Sequence, residues 1–359
     1  MFTLNTFEAL HCAHDWIVRK EISFNGSNFV KFGTVYSSDT HFNDLALRQC
    51  RGITFNKETG ELVSLPFPKF FNINETEENR LYKLKKEKIV RTMDKLDGSM
   101  IHTFIVNDTI CCCTKMGNDN AQSIASSKII HSSSYDYKAL IHEASAQSIT
   151  PLFEYTSPNN QVVIPYKTDA LTLIGLRCMR TGKMLSLDHF KHFDIPIVDS
   201  HEEYTTESLL QKVLRERLSE GYVALYETGE LVKFKTPWYT NNHKVLTLFR
   251  LRDVAKAHLE GSSDDIIAIL RTLNEYEKLE AYERAIKVVE KKVHDLNLEV
   301  NTLSEKIVLC TSSRDAYELY GKDPLFKAAK LNLNGSFDAR DHVKDKMIKH
   351  FNLDPVHNT

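Results

Sequence analysis

Between residues 262 and 310 the chain runs for 49 positions without a glycine or a proline, and no other part of it does anything comparable. The stretch opens on Ser262, Ser263, Asp264 and Asp265, residue types that cap helices, and then repeats apolar side chains at helical spacing. A second helical pair follows, punctuated by Gly321 and by the string LNLNG at 331–335. Upstream the pattern is different. From about residue 29 to 240, short runs of β-branched and aromatic residues alternate with turn residues. The chain is therefore expected to be α+β, a mixed domain of antiparallel sheets and helices over 1–243 followed by an all-helical domain over 244–359. A length of 359 residues fits two domains, and 42% apolar residues suffice for a sizeable core in each.

The clearest strand signal is IHTFIV-ND-TICCCT at 101–114, two apolar runs joined by Asn107-Asp108, which reads as a hairpin. Cys111, Cys112 and Cys113 then lie on a strand with neighbours on opposite faces, so they read as core filler. Further strands are expected at 52–56, 151–155, 170–179, 222–227 and 231–235, the last two turning at Thr228-Gly229, with helices around 121–146 and 206–219. The seven cysteines are odd in number and form no C-x-x-C pair, which argues against a disulfide framework or a structural zinc and fits a reducing compartment. No basic leader followed by an apolar run opens the chain, and no stretch approaches the ~18 apolar residues of a membrane span. The expectation is a soluble, cytoplasmic protein, in a host cytoplasm if phage-encoded. The net charge of −2 excludes a globally basic nucleic-acid binder, so any polyanion must meet a local basic cleft. Oligomeric state is not legible.

Walker A, G-x-G-x-x-G, H-E-x-x-H and G-x-S-x-G motifs are all missing from the sequence. What remains is charge placed beside or on predicted strands. MDKLDGSM (93–100) sets Lys95 two residues before Asp97-Gly98, just after Ile89 and Val90. Alone this is a solvated turn, and a Lys-x-Asp-Gly string arises by chance in on the order of one chain in ten. Glu154 stands between two aromatics in FEY, Glu220-Gly221 begins a strand, and Lys233 and Lys235 are two apart and hence on one strand face.

In that order the four features resemble the covalent nucleotidyltransferases: ATP-dependent DNA and RNA ligases and mRNA capping enzymes. CRGITF (50–55), PFPKFFNINE (66–75) and KFKTPWY (233–239) narrow the resemblance to the RNA ligase 1 family, the phage tRNA-repair ligases, over about residues 45–240. The resemblance implies an ATP-grasp-like nucleotidyltransferase domain that joins a 5′-phosphate to a 3′-hydroxyl of RNA, for instance at a cleaved tRNA anticodon loop, through lysyl-AMP and RNA-adenylate intermediates. Lys95 would attack the α-phosphorus of ATP. Lys233, Lys235 and a bound Mg²⁺, or Mn²⁺ in its place, would disfavour the ammonium form of the amine and stabilise the phosphate charge. Glu154 would hold the ribose and Glu220 the metal, Asp97 would assist either the amine or the metal, and Gly98 and Gly221 would admit the phosphates. Arg51, Lys69 and Lys115 would add phosphate contacts, and Phe71 would stack or pack. Lys115 departs from the family pattern, since Met116 separates it from Gly117. Trp238 and Tyr239 also match. Two other readings stay open: another covalent nucleotidyltransferase, or a nonenzymatic RNA-binding protein on a decayed ligase scaffold. The helical domain is expected to select the RNA.

Overall fold

The computed structural model describes residues 2–34, 42, 44–160, 162–201, 204–247, 251–259, 261–273, 275–339 and 342–343. They fall into two compact units, Met1–Thr240 and Asn241–Thr359. The first is mixed α/β with largely antiparallel sheets and the second is helical, which is the fold class expected.

Unit one opens with helix α1 (Leu4–Ala13), capped by the Thr3 hydroxyl, and a four-stranded meander of β1 (Ile17–Phe24), β2 (Ser27–Thr34), β3 (Ile53–Asn56) and β4 (Leu62–Ser64). Sequence reading missed α1 and the β1–β2 hairpin, whose turn places Asn25 and Gly26 at positive φ. Phe7 of α1 packs with Phe32 and Phe55 beneath this meander. There follow β5 (Phe71–Asn72), α2 (Leu81–Leu84), β6 (Ile89–Asp94), β7 (Ser99–Val106), β8 (Thr109–Cys113), α3 (Ala121–Ser132), α4 (Tyr137–Ala146), β9 (Ile149–Thr156), β10 (Ala170–Cys178), β11 (Met184–Leu185), β12 (Ser200–His201), α5 (Thr206–Arg215), β13 (Gly221–Tyr226) and β14 (Leu231–Lys235).

These strands build two five-stranded sheets, ordered β11-β10-β9-β7-β8 and β12-β6-β13-β14-β5. The β5–β14 pairing is parallel, pairing Phe71 with Val232. The β7–β8 hairpin closes on Val106↔Thr109, with Asn107 and Asp108 at φ 47° and 59°, the left-handed pair of a type I′ turn. Cys111 and Cys113 face a cluster with Ile22 and Phe29, while Cys112 faces the main core, so β8 is buried on both sides and the triplet is indeed filler. The main core joins both sheets to α4, and a further cluster packs α5 on β6, β13 and β14.

Helix α6 (Pro237–Thr247) runs across the division. Unit two holds α7 (Leu251–Leu259), α8 (Ser263–Thr272), α9 (Tyr276–Val308), α10 (Ser313–Tyr320) and α11 (Phe326–Leu333). The uninterrupted stretch at 262–310 is therefore two helices: Leu273 closes α8 and Glu275 opens α9 without any glycine or proline between them. No helix among the described residues is long and apolar enough to cross a membrane.

Candidate active site

The two five-stranded sheets of unit one enclose a cavity of about 590 Å³. Into it open Glu154 from β9, Lys233 and Lys235 from β14, and Lys95 from the short connection between β6 and β7, together with Arg51, Lys69 and Lys115. Strand alternation explains the lysine pair: Val232 and Phe234 are fully buried on the opposite face of β14, which turns positions 233 and 235 toward the cavity.

Glu220 lies just before β13, its side chain 3% exposed, and binds two ammonium groups through one oxygen: Lys95 Nζ at 2.8 Å and Lys235 Nζ at 2.9 Å. Two cations are thus held together by one buried carboxylate. The Gly221 carbonyl accepts from Lys95 N at 2.8 Å, fixing the backbone from which that side chain springs. Gly221 has φ +132°, and a Cβ there would lie 2.0 Å from the Phe234 carbonyl oxygen, so the glycine is demanded by the β13–β14 pairing.

The Lys95–Gly98 connection is pinned along its length. Asp97 N donates to Tyr166 Oη at 3.0 Å and Gly98 N to Glu154 Oε1 at 3.1 Å. The Asp97 carboxylate is 2% exposed and accepts from Val163 N (2.7 Å), Ile164 N (2.8 Å) and Tyr239 Oη (2.7 Å). This corrects the expectation for Asp97: its oxygens are occupied in tying the loop to two other segments, which makes it a positioning residue, and it does not line the cavity. Gly98 lines the cavity, and a Cβ there would sit 2.3 Å from the Tyr155 carbonyl oxygen, so the close approach of strand β9 also demands the glycine; its N–H is taken by Glu154.

Lys115, despite the intervening methionine, lies in the cavity beside Arg51 and Lys69, and donates to Thr34 O at 2.8 Å. The Thr114–Gly117 turn that carries it is closed by Thr114 N donating to Gly117 O at 2.9 Å. Burial lowers the Lys115 pKa, with Arg51 and Lys69 adding to the effect, and burial also lowers that of Arg51. Lys233 is pushed down to about 7, first by burial and then by the positive charges of Lys95, Lys69, Arg51 and Lys235. Neither Arg51 nor Lys233 has a carboxylate partner among the described residues; Lys233 Nζ lies over the Phe70 ring at 4.5 Å. Three half-buried cations in one cavity with so little negative charge are costly unless a polyanion completes them.

Phe71 does not stack in the cavity. Its ring is 3% exposed and is covered by Lys69, 4.8 Å from the ring centroid, and by Arg48 at 5.3 Å. The aromatics that line the cavity are Phe70 and Phe67. Of the two roles expected for Phe71, the one it takes is packing, and strand parity at Phe70-Phe71 is set by β5 pairing with β14, some 160 residues away in the chain. Tyr239 belongs to the site's support: its ring also carries Lys235 Nζ at 4.9 Å. Tyr166 went unnoticed in the sequence and has no local signal.

Glu154 is half-buried at the cavity wall, and burial pushes its carboxyl up to about 8, the Lys95 charge opposing the shift. At neutral pH it is mostly protonated and can donate a hydrogen bond as well as accept one. Among the described residues no group of three or more His, Cys, Asp or Glu side chains could hold a metal ion by itself. A divalent ion would therefore need phosphate oxygens and water as its main ligands, with Glu220 the nearest carboxylate to Lys95; that donor set suits Mg²⁺.

Residues 49–239 match the family described as RNA ligase. A Thermovibrio ammonificans protein named "Putative RNA ligase" is 30% identical over 294 residues, covering 78% of this chain and 75% of that protein. RNA ligase 1 of bacteriophage TS2126 is 23% identical over 215 residues, 57% of this chain and 54% of the phage protein. A solved "Putative ATP-dependent DNA ligase from Aquifex aeolicus" aligns over 82% of this chain and 80% of its own with a TM-score of 0.48 and 16% identity.

Proposed function

The chain belongs to the RNA ligase family, and from that premise we propose that it is an ATP-dependent ligase joining 5′-phosphate and 3′-hydroxyl RNA ends through a lysyl-AMP intermediate on Lys95. The observation that carries this reading is the placement of Lys95 and Lys235 on one Glu220 oxygen, at 2.8 and 2.9 Å, beside a cavity that also gathers Arg51, Lys69, Lys115 and Lys233. Lys95 Nζ forms the N–P bond to the α-phosphorus of ATP while the bond to pyrophosphate breaks, and pyrophosphate leaves with the electron pair. The amine must first lose a proton, and Glu220 Oε1 is the acceptor already in contact with it. Arg51, Lys69, Lys115 and Lys233 hold the triphosphate and the charge that grows on the leaving oxygen. Glu154 addresses the nucleotide sugar. A divalent cation, Mg²⁺ in this reading, would be held by Glu220 and phosphate oxygens and would neutralise phosphate charge. The AMP then passes to the RNA 5′-phosphate, and attack by the 3′-hydroxyl expels AMP and seals the strand.

Family membership and a site built for a polyanion together support a ligase over a binding-only scaffold. A tRNA-repair role and selection of RNA by unit two extend the same proposal. The test is incubation with α-labelled ATP or GTP, denaturation, and peptide mapping. Label retained from ATP on the Lys95 peptide is the expected result, and its loss in Lys95→Ala should leave sealing of pre-adenylylated RNA intact. Retention from GTP alone, or on another lysine, would overturn the assignment. A protein truncated near residue 250 should still form lysyl-AMP and lose its preference among RNAs; a folded truncation unable to adenylylate would refute that division of labour.

A further inference from the structure

A second cavity, of about 520 Å³, opens on the far side of Pro68, Lys69 and Phe70, which line both spaces. It contains no part of the Lys95–Glu220–Lys235 cluster, and two features of it are unexplained by packing. Asn79 lines it and is 3% exposed, and its side-chain amide makes no hydrogen bond to another described residue; its backbone N–H donates to Thr76 Oγ1 at 3.4 Å and its carbonyl accepts from Asn74 N at 2.8 Å. An amide that no described residue pairs is available to a ligand entering the cavity it lines. Arg177, at the same cavity, is 3% exposed and is held only by neutral acceptors: the Pro66 carbonyl, Gln49 Oε1 at 2.7 Å and Gly182 O at 3.0 Å. Its charge has no carboxylate against it, and the neighbouring Arg48 is only loosely paired with Glu230 at 3.6 Å.

A ligand that satisfies both features carries a planar donor–acceptor edge for the amide and negative charge for the guanidinium. We propose that this second cavity is a nucleotide subsite for the RNA end that meets the nucleotide cavity, with Asn79 pairing the edge of one base and Arg177 and Arg48 attracting the backbone phosphate beside it. The proposal rests on the RNA ligase reading for the identity of the polynucleotide. The shared wall fits that order, since a terminal nucleotide seated here has its sugar-phosphate next to Lys69, which also faces the first cavity. An asparagine amide makes paired hydrogen bonds to a base edge and therefore discriminates among bases, whereas arginine on phosphate does not.

The full chain is tested with four fluorescein-labelled pentaribonucleotides, A5, C5, G5 and U5, by anisotropy at fixed salt, and in parallel for lysyl-AMP formation from labelled ATP. Asn79→Ala, which keeps the backbone acceptor, should weaken binding of the favoured homopolymer roughly tenfold, about 1.4 kcal/mol, and flatten the differences among the four. Val90→Trp, at a residue 45% exposed on the cavity rim, should weaken all four by obstruction. Both variants should form lysyl-AMP at the wild-type rate. Unchanged affinities in both variants, an equal loss in Asn79→Ala for all four sequences, or loss of lysyl-AMP in either would overturn the proposal. Failure of the wild type to form lysyl-AMP would refute the ligase reading instead, and the anisotropy would still decide the cavity.

Discussion

A lysine that burial and neighbouring charge hold near pKa 7 is half charged at neutral pH, and an anion arriving beside it makes the charged form the favoured one. For Lys233 this couples triphosphate binding to proton uptake. Suppose the bound state keeps Lys233 charged up to about pH 9, as an ordinary lysine would be. The apparent Kd then scales as one plus ten to the power of pH minus 7, roughly 2 at pH 7, 11 at pH 8 and 100 at pH 9. Affinity should accordingly fall about fivefold from pH 7 to 8 and about ninefold more by pH 9. The proton uptake should be about half a proton at pH 7 and about 0.9 at pH 8. Calorimetry with α,β-methylene-ATP, which cannot transfer AMP to Lys95, reads both quantities when repeated in buffers of different ionisation enthalpy. The ligand's own titration is removed by comparison with Lys233→Arg, which stays charged and should lose the steep dependence above pH 7. The sign is fixed: affinity is highest below pH 7 and is lost as pH rises through it. An identical pH slope in wild type and Lys233→Arg would refute the reasoning.

Glu220→Gln should leave two ammonium groups without their shared counter-ion, abolish lysyl-AMP formation and cost ~2 kcal/mol in urea unfolding, less than a fully buried pair because both lysines keep some solvent. Gly98→Ala puts a methyl 2.3 Å from the Tyr155 carbonyl, so β7 must part from β9; a loss of ~3 kcal/mol is expected by thermal unfolding, and a Tm within a degree of wild type would contradict the close approach. Asp97→Asn should lower stability and adenylylation together and should not be rescued by exchanging Mg²⁺ for Mn²⁺, since the side chain holds the loop; restoration by Mn²⁺ would return it to the metal. Phe70→Leu should raise KM for ATP several-fold with little change in Tm, whereas Phe71→Leu should cost ~1 kcal/mol of stability and leave KM unchanged.

What the sequence made legible was local or periodic. Asn107-Asp108 has one economical use between two apolar runs, and Lys233-x-Lys235 can only share a strand face. The chemistry-bearing positions Arg51, Lys69, Lys95, Lys115, Glu154, Lys233 and Lys235 are brought together in one cavity. What stayed hidden depends on long-range neighbours. Whether Gly98 faces a ligand or a strand is decided by where Tyr155 runs, and whether Asp97 is free is decided by Val163, Ile164 and Tyr239. Asn79 offered no signal, because an unpaired amide is a property of its surroundings. The break between α8 and α9 was equally invisible, since both sides keep helical spacing.

The closing of the Lys95 loop by Tyr239 spans 142 residues, and it sets a schedule for the nascent chain. Ribosomes add about 5–20 residues per second, so roughly 7–28 s separate the synthesis of Asp97 from that of the tyrosine that secures it. For most of that interval Glu220 and Lys235 are unmade, and Lys95 has neither its counter-ion nor its companion cation. On the proposed mechanism, a ribosome-bound chain that stops short of residue 240 should be inert toward nucleotide, and reactivity should arise in a single late step, as the final strand and the first turn of α6 leave the exit tunnel.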